Sequence, residues 1–148
     1  MSLTPHEGRL ARLFTAVVLG DWDRLRRERQ AAPAGEPDRS WRECVLQAHV
    51  FAGFPRVVEA YGVLSACGGL GELGQDEFLA ERDQPERGRA LFDRIYEKDA
   101  ERVRELLRAG HPDFERWIEV HAYGRILSRP GLEPRTRELL AVAASNGP

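Results

Sequence analysis

The sequence predicts an all-α protein, a bundle of about six to seven helices in a single domain. Apolar residues recur at every third or fourth position in most segments, as they do on one face of a helix. No segment alternates apolar and polar residues over the length of a strand. Proline or a capping residue precedes the periodic segments and glycine follows them, as at helix starts and ends. A chain of 148 residues has the usual size of one domain with one core.

The first two helices are predicted from the signals at their ends. A helix from Pro5 to Gly20 begins with a capping box, in which Thr4 precedes Glu7 by three residues. Asp21 is predicted to cap a second, strongly charged helix that a proline-rich stretch ends. The apolar stripe of the first helix has the spacing i, i+3, i+4, i+7 and i+8 and consists of Leu10, Leu13, Phe14, Val17 and Val18.

The third and fourth helices are predicted in the same way. A second capping box, from Ser40 to Glu43, indicates the start of the third helix, which ends at Gly53. Pro55 begins the fourth helix, and Gly68 ends it. Both helices carry an apolar stripe, so both are expected to pack on a common core.

Glycine and charged residues dominate positions 68–84, which are predicted to link a first half, 1–67, to a second half, 85–148. In the second half, helical spacing is expected from near Pro85, followed by a short charged helix that ends at Gly110, a helix that begins at Pro112 and a last one that begins at Pro134. For the helix that begins at Pro112, the predicted inward stripe is Phe114, Trp117, Ile118, His121, Ala122 and Ile126.

Composition excludes several classes of protein. Mean hydropathy is -0.48, and no apolar run reaches the roughly 20 residues of a membrane span. The first residues lack a basic region followed by an apolar stretch, so a cytoplasmic location is expected. A net charge of -2 with mixed signs argues against nucleic acid as a partner. Cys44 and Cys67 are spaced for neither zinc nor a disulfide framework and are expected to be reduced.

Two segments of the chain resemble the carboxymuconolactone decarboxylase family. The stretch 114–140, with Ser-Arg-Pro-Gly-Leu at 128–132 and Arg-Thr-Arg-Glu-Leu-Leu at 135–140, is similar to the first half of these proteins. The stretch 45–55, Val-Leu-Gln-Ala-His-Val-Phe-Ala-Gly-Phe-Pro, is similar to a segment that comes later in the family. The resemblance therefore implies an alkylhydroperoxidase D-like helical fold with its halves in permuted order, reached by circular permutation or by fusion and loss.

The resemblance also implies a ligand and candidate site residues. Family members act on a lactone that carries carboxylates, so Arg or His donors would bind it and an acid would protonate the product carbanion. The candidate catalytic residues are His49 and His121, and the candidate substrate-binding residues are Tyr123, Arg125 and Arg137. A lone histidine beside an apolar stripe is more often a hydrogen-bonded core residue than a catalytic one. No cofactor is implied, and no metal site is predicted, because no inward His/Glu pair has i, i+4 spacing.

Two functions remain open at this point. One is a decarboxylase-like enzyme, a lyase, that binds or transforms a small anionic organic acid. The other is a non-catalytic oligomeric interaction module. A thiol peroxidase of the sister alkylhydroperoxidase branch is less favoured, because that chemistry uses a Cys-x-x-Cys pair, which this chain lacks.

Both functions are compatible with a homo-oligomer, and the resemblance implies a trimer or a hexamer. The last helix has an apolar face with no later helix to cover it, so it is expected to dock on the first half of its own chain or on a neighbour, at or near an interface. The chain also has more large rings than short helices readily bury. These rings are Trp22, Trp41, Phe51, Phe54, Phe92, Phe114 and Trp117.

Overall fold

The regular structure of the chain is helical throughout the part that the computed structural model describes, residues 2–145. No strand occurs among these residues, which confirms the all-α prediction. None of the described helices has the length and apolar character that crossing a membrane requires. The helices are α1 (Pro5–Leu19), α2 (Trp22–Ala31), α3 (Asp38–Ala52), α4 (Phe54–Ala66), α5 (Gln84–Tyr96), α6 (Ala100–Gly110), α7 (Pro112–Trp117) and α8 (Pro134–Ser145). A π-helical segment, Ile118–Leu127, continues α7.

The chain forms two compact units. The first unit contains residues 2–73 and 131–145 of the described chain, and the second contains residues 74–130. The stretch predicted as a linker, 68–84, is thus divided between them, and α8 belongs with the N-terminal helices.

Local end signals explain the first two helices of the first unit. The Thr4 hydroxyl accepts a hydrogen bond from the amide of Glu7, and the Glu7 carboxylate accepts one from the amide of Thr4. Gly20 ends α1 in the left-handed conformation, and the Asp21 side chain accepts a bond from the Arg24 amide at the start of α2. The predicted ends of both helices are confirmed.

The start of α3 differs from the prediction. The helix begins at Asp38, so Ser40 lies inside its first turn and donates to the Pro37 carbonyl. Glu43 is fully buried and does not cap the helix. The capping box predicted from Ser40 to Glu43 is therefore wrong.

The core of the first unit lies where α1 meets α3, α4 and α8. Trp41 and Phe14 are its largest fully buried side chains, and Phe51 packs edge-on against Phe14 at 5.6 Å between ring centroids. The last helix docks on α1 of its own chain and buries Leu140 completely. Of the two positions predicted for this helix, it occupies the one against its own first half.

In the second unit, α5 packs along the π-helical segment. The two backbones approach closely at Gly88 and Gly124, where an added Cβ on either glycine would lie about 2 Å from a carbonyl oxygen of the facing helix. Arg87 donates to the Gly124 carbonyl at 2.8 Å. A π-helix of this length is unusual, because π geometry mostly occurs as single turns.

The inward stripe predicted after Pro112 is partly wrong. Ala122 and Ile126 are buried as predicted, but Phe114 and Trp117 are exposed. Phe114 and Trp117 lie in α7, whereas Ala122 and Ile126 lie in the π-helical segment. The prediction uses the α-helical period throughout, but hydrogen bonding across five residues changes which positions of the two parts share a face.

Candidate functional site

The five residues predicted to form a site are divided between the two units. His49 and Arg137 lie in the first unit, on α3 and α8. The other three predicted residues, His121, Tyr123 and Arg125, lie on the π-helical segment of the second unit. Each group is described within its own unit.

Arg137 is enclosed by polar partners on α3. Its guanidinium donates to Gln47 Oε1 at 2.9 Å and to Glu43 Oε1 at 2.8 Å. The amide of Gln47 returns a hydrogen bond of 3.1 Å to the Arg137 carbonyl. All three side chains are buried, so this arrangement fixes α8 on α3 and satisfies the charges that it buries.

His49 does not meet Arg137. Gln47 and His49 are two residues apart on α3, so their side chains point to nearly opposite sides of the helix. The His49 ring donates from Nδ1 to the carbonyl of Leu46 and stacks on Phe54, with 5.2 Å between ring centroids. The two predicted site residues of the first unit therefore do not converge.

Arg125 and His121 are in contact on the second unit. Arg125 donates to His121 Nδ1 at 3.3 Å and to Gln84 Oε1 at 3.2 Å, and Glu81 lies 3.5 Å from the same guanidinium. Since arginine can only donate, Nδ1 of His121 is the acceptor. The Arg125 guanidinium is half-exposed, and its nearest ion-pair partner, Glu81, is mostly exposed.

Tyr123 belongs to an aromatic cluster. Its hydroxyl donates to the hydroxyl of Tyr96 at 3.1 Å, and its ring meets Phe92 edge-on at 5.2 Å. Burial, followed by the bond to Tyr96, raises the pKa of Tyr123 far above its ordinary value. In this position the Tyr123 phenol keeps its proton, packs against Phe92 and donates one hydrogen bond to Tyr96.

The feature that the predicted site residues do not include is the outer surface of α4. Val57, Ala60 and Leu64 face the core, yet the opposite side of the same helix is also apolar. Among the exposed residues of α4, a helix that the structure describes in full, Glu59 alone is charged. We call this surface the α4 face, and it consists of Phe54, Pro55, Val58, Tyr61, Gly62, Ser65 and Ala66.

The α4 face has the residue spacing of a helix-packing surface. Phe54, Val58 and Tyr61 repeat at intervals of four and three, as at the a and d positions of a heptad, and are 67%, 68% and 44% exposed. Gly62 lies beside them in mid-helix, and an added Cβ there would meet no atom within 4 Å. The sequence pattern signals this surface, because apolar residues on both sides of a helix indicate that both sides are covered.

Metal ligands do not cluster in the described part of the chain. Among residues 2–145, no group of three or more His, Cys, Asp or Glu side chains is placed to hold a metal ion.

Comparison with protein-family models, with curated proteins and with solved structures finds no match to this chain.

Proposed function

We propose that this protein is a self-associating helical module, which forms a homo-oligomer through the α4 face. The observation that carries the proposal is that α4 is apolar on both sides while only one side meets its own core. A surface helix normally presents charged and polar residues to water, and a helix that is apolar all round is normally buried. Burial of the α4 face against a second surface would explain why the exposed side of this helix is apolar.

The occupant that we propose is a second copy of the same chain. A closed symmetric contact places a surface against itself, so any charge at its centre faces a like charge. The α4 face avoids this repulsion, since Phe54, Val58 and Tyr61 are uncharged and Glu59 lies at its edge, where it accepts a bond from Trp22 Nε1.

Gly62 supports close approach of the second copy. Glycine in the middle of a helix costs roughly 0.5 to 1 kcal/mol relative to alanine. The fold of the chain gives no steric reason for it, because the space beside its Cα is open. A second helix backbone that packs on this position would supply one.

Measurement of mass in solution tests the proposal. Light scattering of the purified protein at tens of micromolar should give a molecular mass that is a multiple of 16.7 kDa. Val58→Glu places a charge at the centre of the α4 face without touching the core, and should weaken association at least tenfold. The matched control is Leu106→Glu, at an exposed apolar residue of the second unit, which should associate like the unchanged protein.

Two results would contradict the proposal. One is a mass of 16.7 kDa at every concentration. The other is an oligomer that Val58→Glu and Leu106→Glu affect equally, because the interface would then lie elsewhere.

Binding of a small anionic acid, which the family resemblance implies, is the second candidate function. The half-exposed guanidinium of Arg125, beside His121, is the observation that favours it. A thermal-shift screen with lactones and dicarboxylates tests it on the unchanged protein and on Arg125→Gln. If no anionic ligand raises the melting temperature, the result would count against this function and against the resemblance.

A further inference from the structure

A groove in the first unit lies between the first turn of α1 and the segment that joins α2 to α3. Its volume is about 290 Å³, close to the lower limit for small-molecule sites. It is lined by Pro5, His6, Arg9, Pro33, Gly35, Glu36 and Pro37. The three prolines give it rigid walls that offer pyrrolidine rings and no backbone N–H donors.

Glu36 is the centre of the polar network behind this groove. A turn, in which the Glu36 amide donates to the Pro33 carbonyl, brings its side chain towards α1. One carboxylate oxygen accepts from Trp41 Nε1 at 2.7 Å, and the other accepts from His6 at 2.9 Å and from Arg9 at 3.2 Å. With three donors, Glu36 stays ionised at neutral pH.

The ionised carboxylate determines the tautomer of His6. A carboxylate can only accept, so Nδ1 of His6 carries a proton, and in the neutral imidazole the lone pair therefore lies on Nε2. The His6 side chain is 39% exposed and lines the groove. Its Nε2 makes no hydrogen bond with any described residue, so in the neutral ring it can accept one from a ligand.

The charges around the groove balance. Arg9 pairs with Glu28 and Glu36, and Arg12 pairs with Glu28, so two arginines face two carboxylates. No net positive charge remains to attract a phosphate or a carboxylate. The ligand that these features fit is neutral, mostly apolar and able to donate one hydrogen bond.

We propose that this groove binds a small neutral phenol, whose ring packs against the proline walls while its hydroxyl donates to Nε2 of His6. The proposal concerns α1 and the segment 33–37, and it is independent of the α4 face. No bond is made or broken, since the phenol shares its proton with Nε2 in a hydrogen bond.

Nuclear magnetic resonance of the ¹⁵N-labelled histidines tests the tautomer first. At a pH where the imidazoles are neutral, His6 should carry its proton on Nδ1. His111 provides an internal control with the opposite arrangement, because its Nδ1 accepts the amide of Asp113 and its proton must sit on Nε2. A His6 ring protonated on Nε2 would overturn the proposal.

Titration with 4-methylphenol tests binding on the same labelled protein. The ¹⁵N chemical shift of His6 Nε2 should change as 4-methylphenol is added and should reach a plateau when the groove is saturated. Affinity should fall about tenfold for 4-methylanisole, which has the same ring without the donor, because one net hydrogen bond is lost. His6→Gln should lower the affinity for 4-methylphenol by a similar factor, and His111→Gln should leave this affinity unchanged. Equal affinity for the phenol and the anisole, or no saturable shift at His6, would overturn the proposal, and the anisole comparison does not depend on any variant folding.

Discussion

Arg137 on α8 and Glu43 on α3 form a buried ion pair, with 2.8 Å between Nη2 and Oε1 and with side chains that are 5% and 0% exposed. Removal of one partner leaves the other charge buried without compensation, which is far costlier than the net gain from the pair. We therefore expect Arg137→Ala to lower the free energy of unfolding by about 3 to 5 kcal/mol in urea denaturation.

The control for this prediction is an arginine two positions earlier on the same helix. Arg135 pairs with Glu7 at 3.0 Å but is 48% exposed. Arg135→Ala should change the free energy of unfolding by no more than about 1 kcal/mol. Equal losses for the two variants would mean that the buried pair does not hold α8 in place.

The close approach of α5 and the π-helical segment gives the second prediction. An added Cβ at Gly124 would lie 2.0 Å from the Gln84 carbonyl oxygen, so the two backbones would have to separate. We expect Gly124→Ala to destabilise the second unit by at least about 2 kcal/mol. Thermal unfolding followed by circular dichroism measures the effect. Gly110→Ala is the matched control, because nothing lies within 4 Å of a Cβ there, and it should leave stability unchanged or slightly raised. A Gly124→Ala protein that unfolds with the control would show that the contact is looser than 2.0 Å implies.

The two cysteines should differ sharply in reactivity. Cys44 is fully buried, and burial raises the pKa of its thiol far above the ordinary range. Cys67 is partly exposed at the end of α4. We expect a thiol reagent to modify Cys67 in the folded protein and Cys44 only on unfolding, because the thiolate is the reacting form.

Mass spectrometry after mild peroxide treatment should show no Cys44–Cys67 disulfide, and a disulfide that forms rapidly would restore the thiol peroxidase as a candidate.

Local signals and distant contacts explain where sequence reasoning succeeded and where it failed. Thr4 and Glu7 satisfy each other within three residues, so their capping box could be identified from sequence. Ser40 and Glu43 show the same pattern, but the Glu43 carboxylate pairs with Arg137, which is 94 residues away. The buried partner overrides the local pattern, and sequence alone does not reveal that partner.

The candidate site shows the same limit. The family resemblance and the position of His49 and His121 beside apolar stripes make them candidates, but neither feature reveals what each ring contacts. His49 bonds to the backbone of its own helix, whereas His121 accepts from Arg125. The sequence does not single out His6, because its partner Glu36 is 30 residues away and reaches it only through the turn at 33–37. A histidine next to a well-marked helix start and a glutamate between glycine and proline were the available signals.

Glu36 also gives a pH dependence whose direction can be derived. Burial alone would raise the pKa of this carboxyl, but the hydrogen bonds from Trp41 and His6 and the charge of Arg9 outweigh burial and lower the pKa below its ordinary value of 4.5. A carboxyl whose pKa is lower in the folded than in the unfolded chain releases its proton more readily on folding. Its contribution to stability is therefore complete above pH 4.5 and is lost as the pH falls through the folded-state pKa.

We expect Glu36→Gln to test this dependence directly. The side-chain amide oxygen of this variant can still accept from Trp41, but the side chain has no charge to pair with Arg9 and does not fix the tautomer of His6. At neutral pH the free energy of unfolding of the variant should therefore be lower by on the order of 2 kcal/mol. As the pH falls below 4.5, the unchanged protein loses the contribution of the charge and the two free energies of unfolding should converge. Urea denaturation at pH 7 and at steps down to pH 3 measures both curves. Glu72→Gln, at an exposed position with no hydrogen bond or ion pair to any of residues 2–145, should follow the unchanged protein at every pH. A gap for Glu36→Gln that stays constant from pH 7 to pH 3 would show that the carboxylate contributes through its shape and not through its charge.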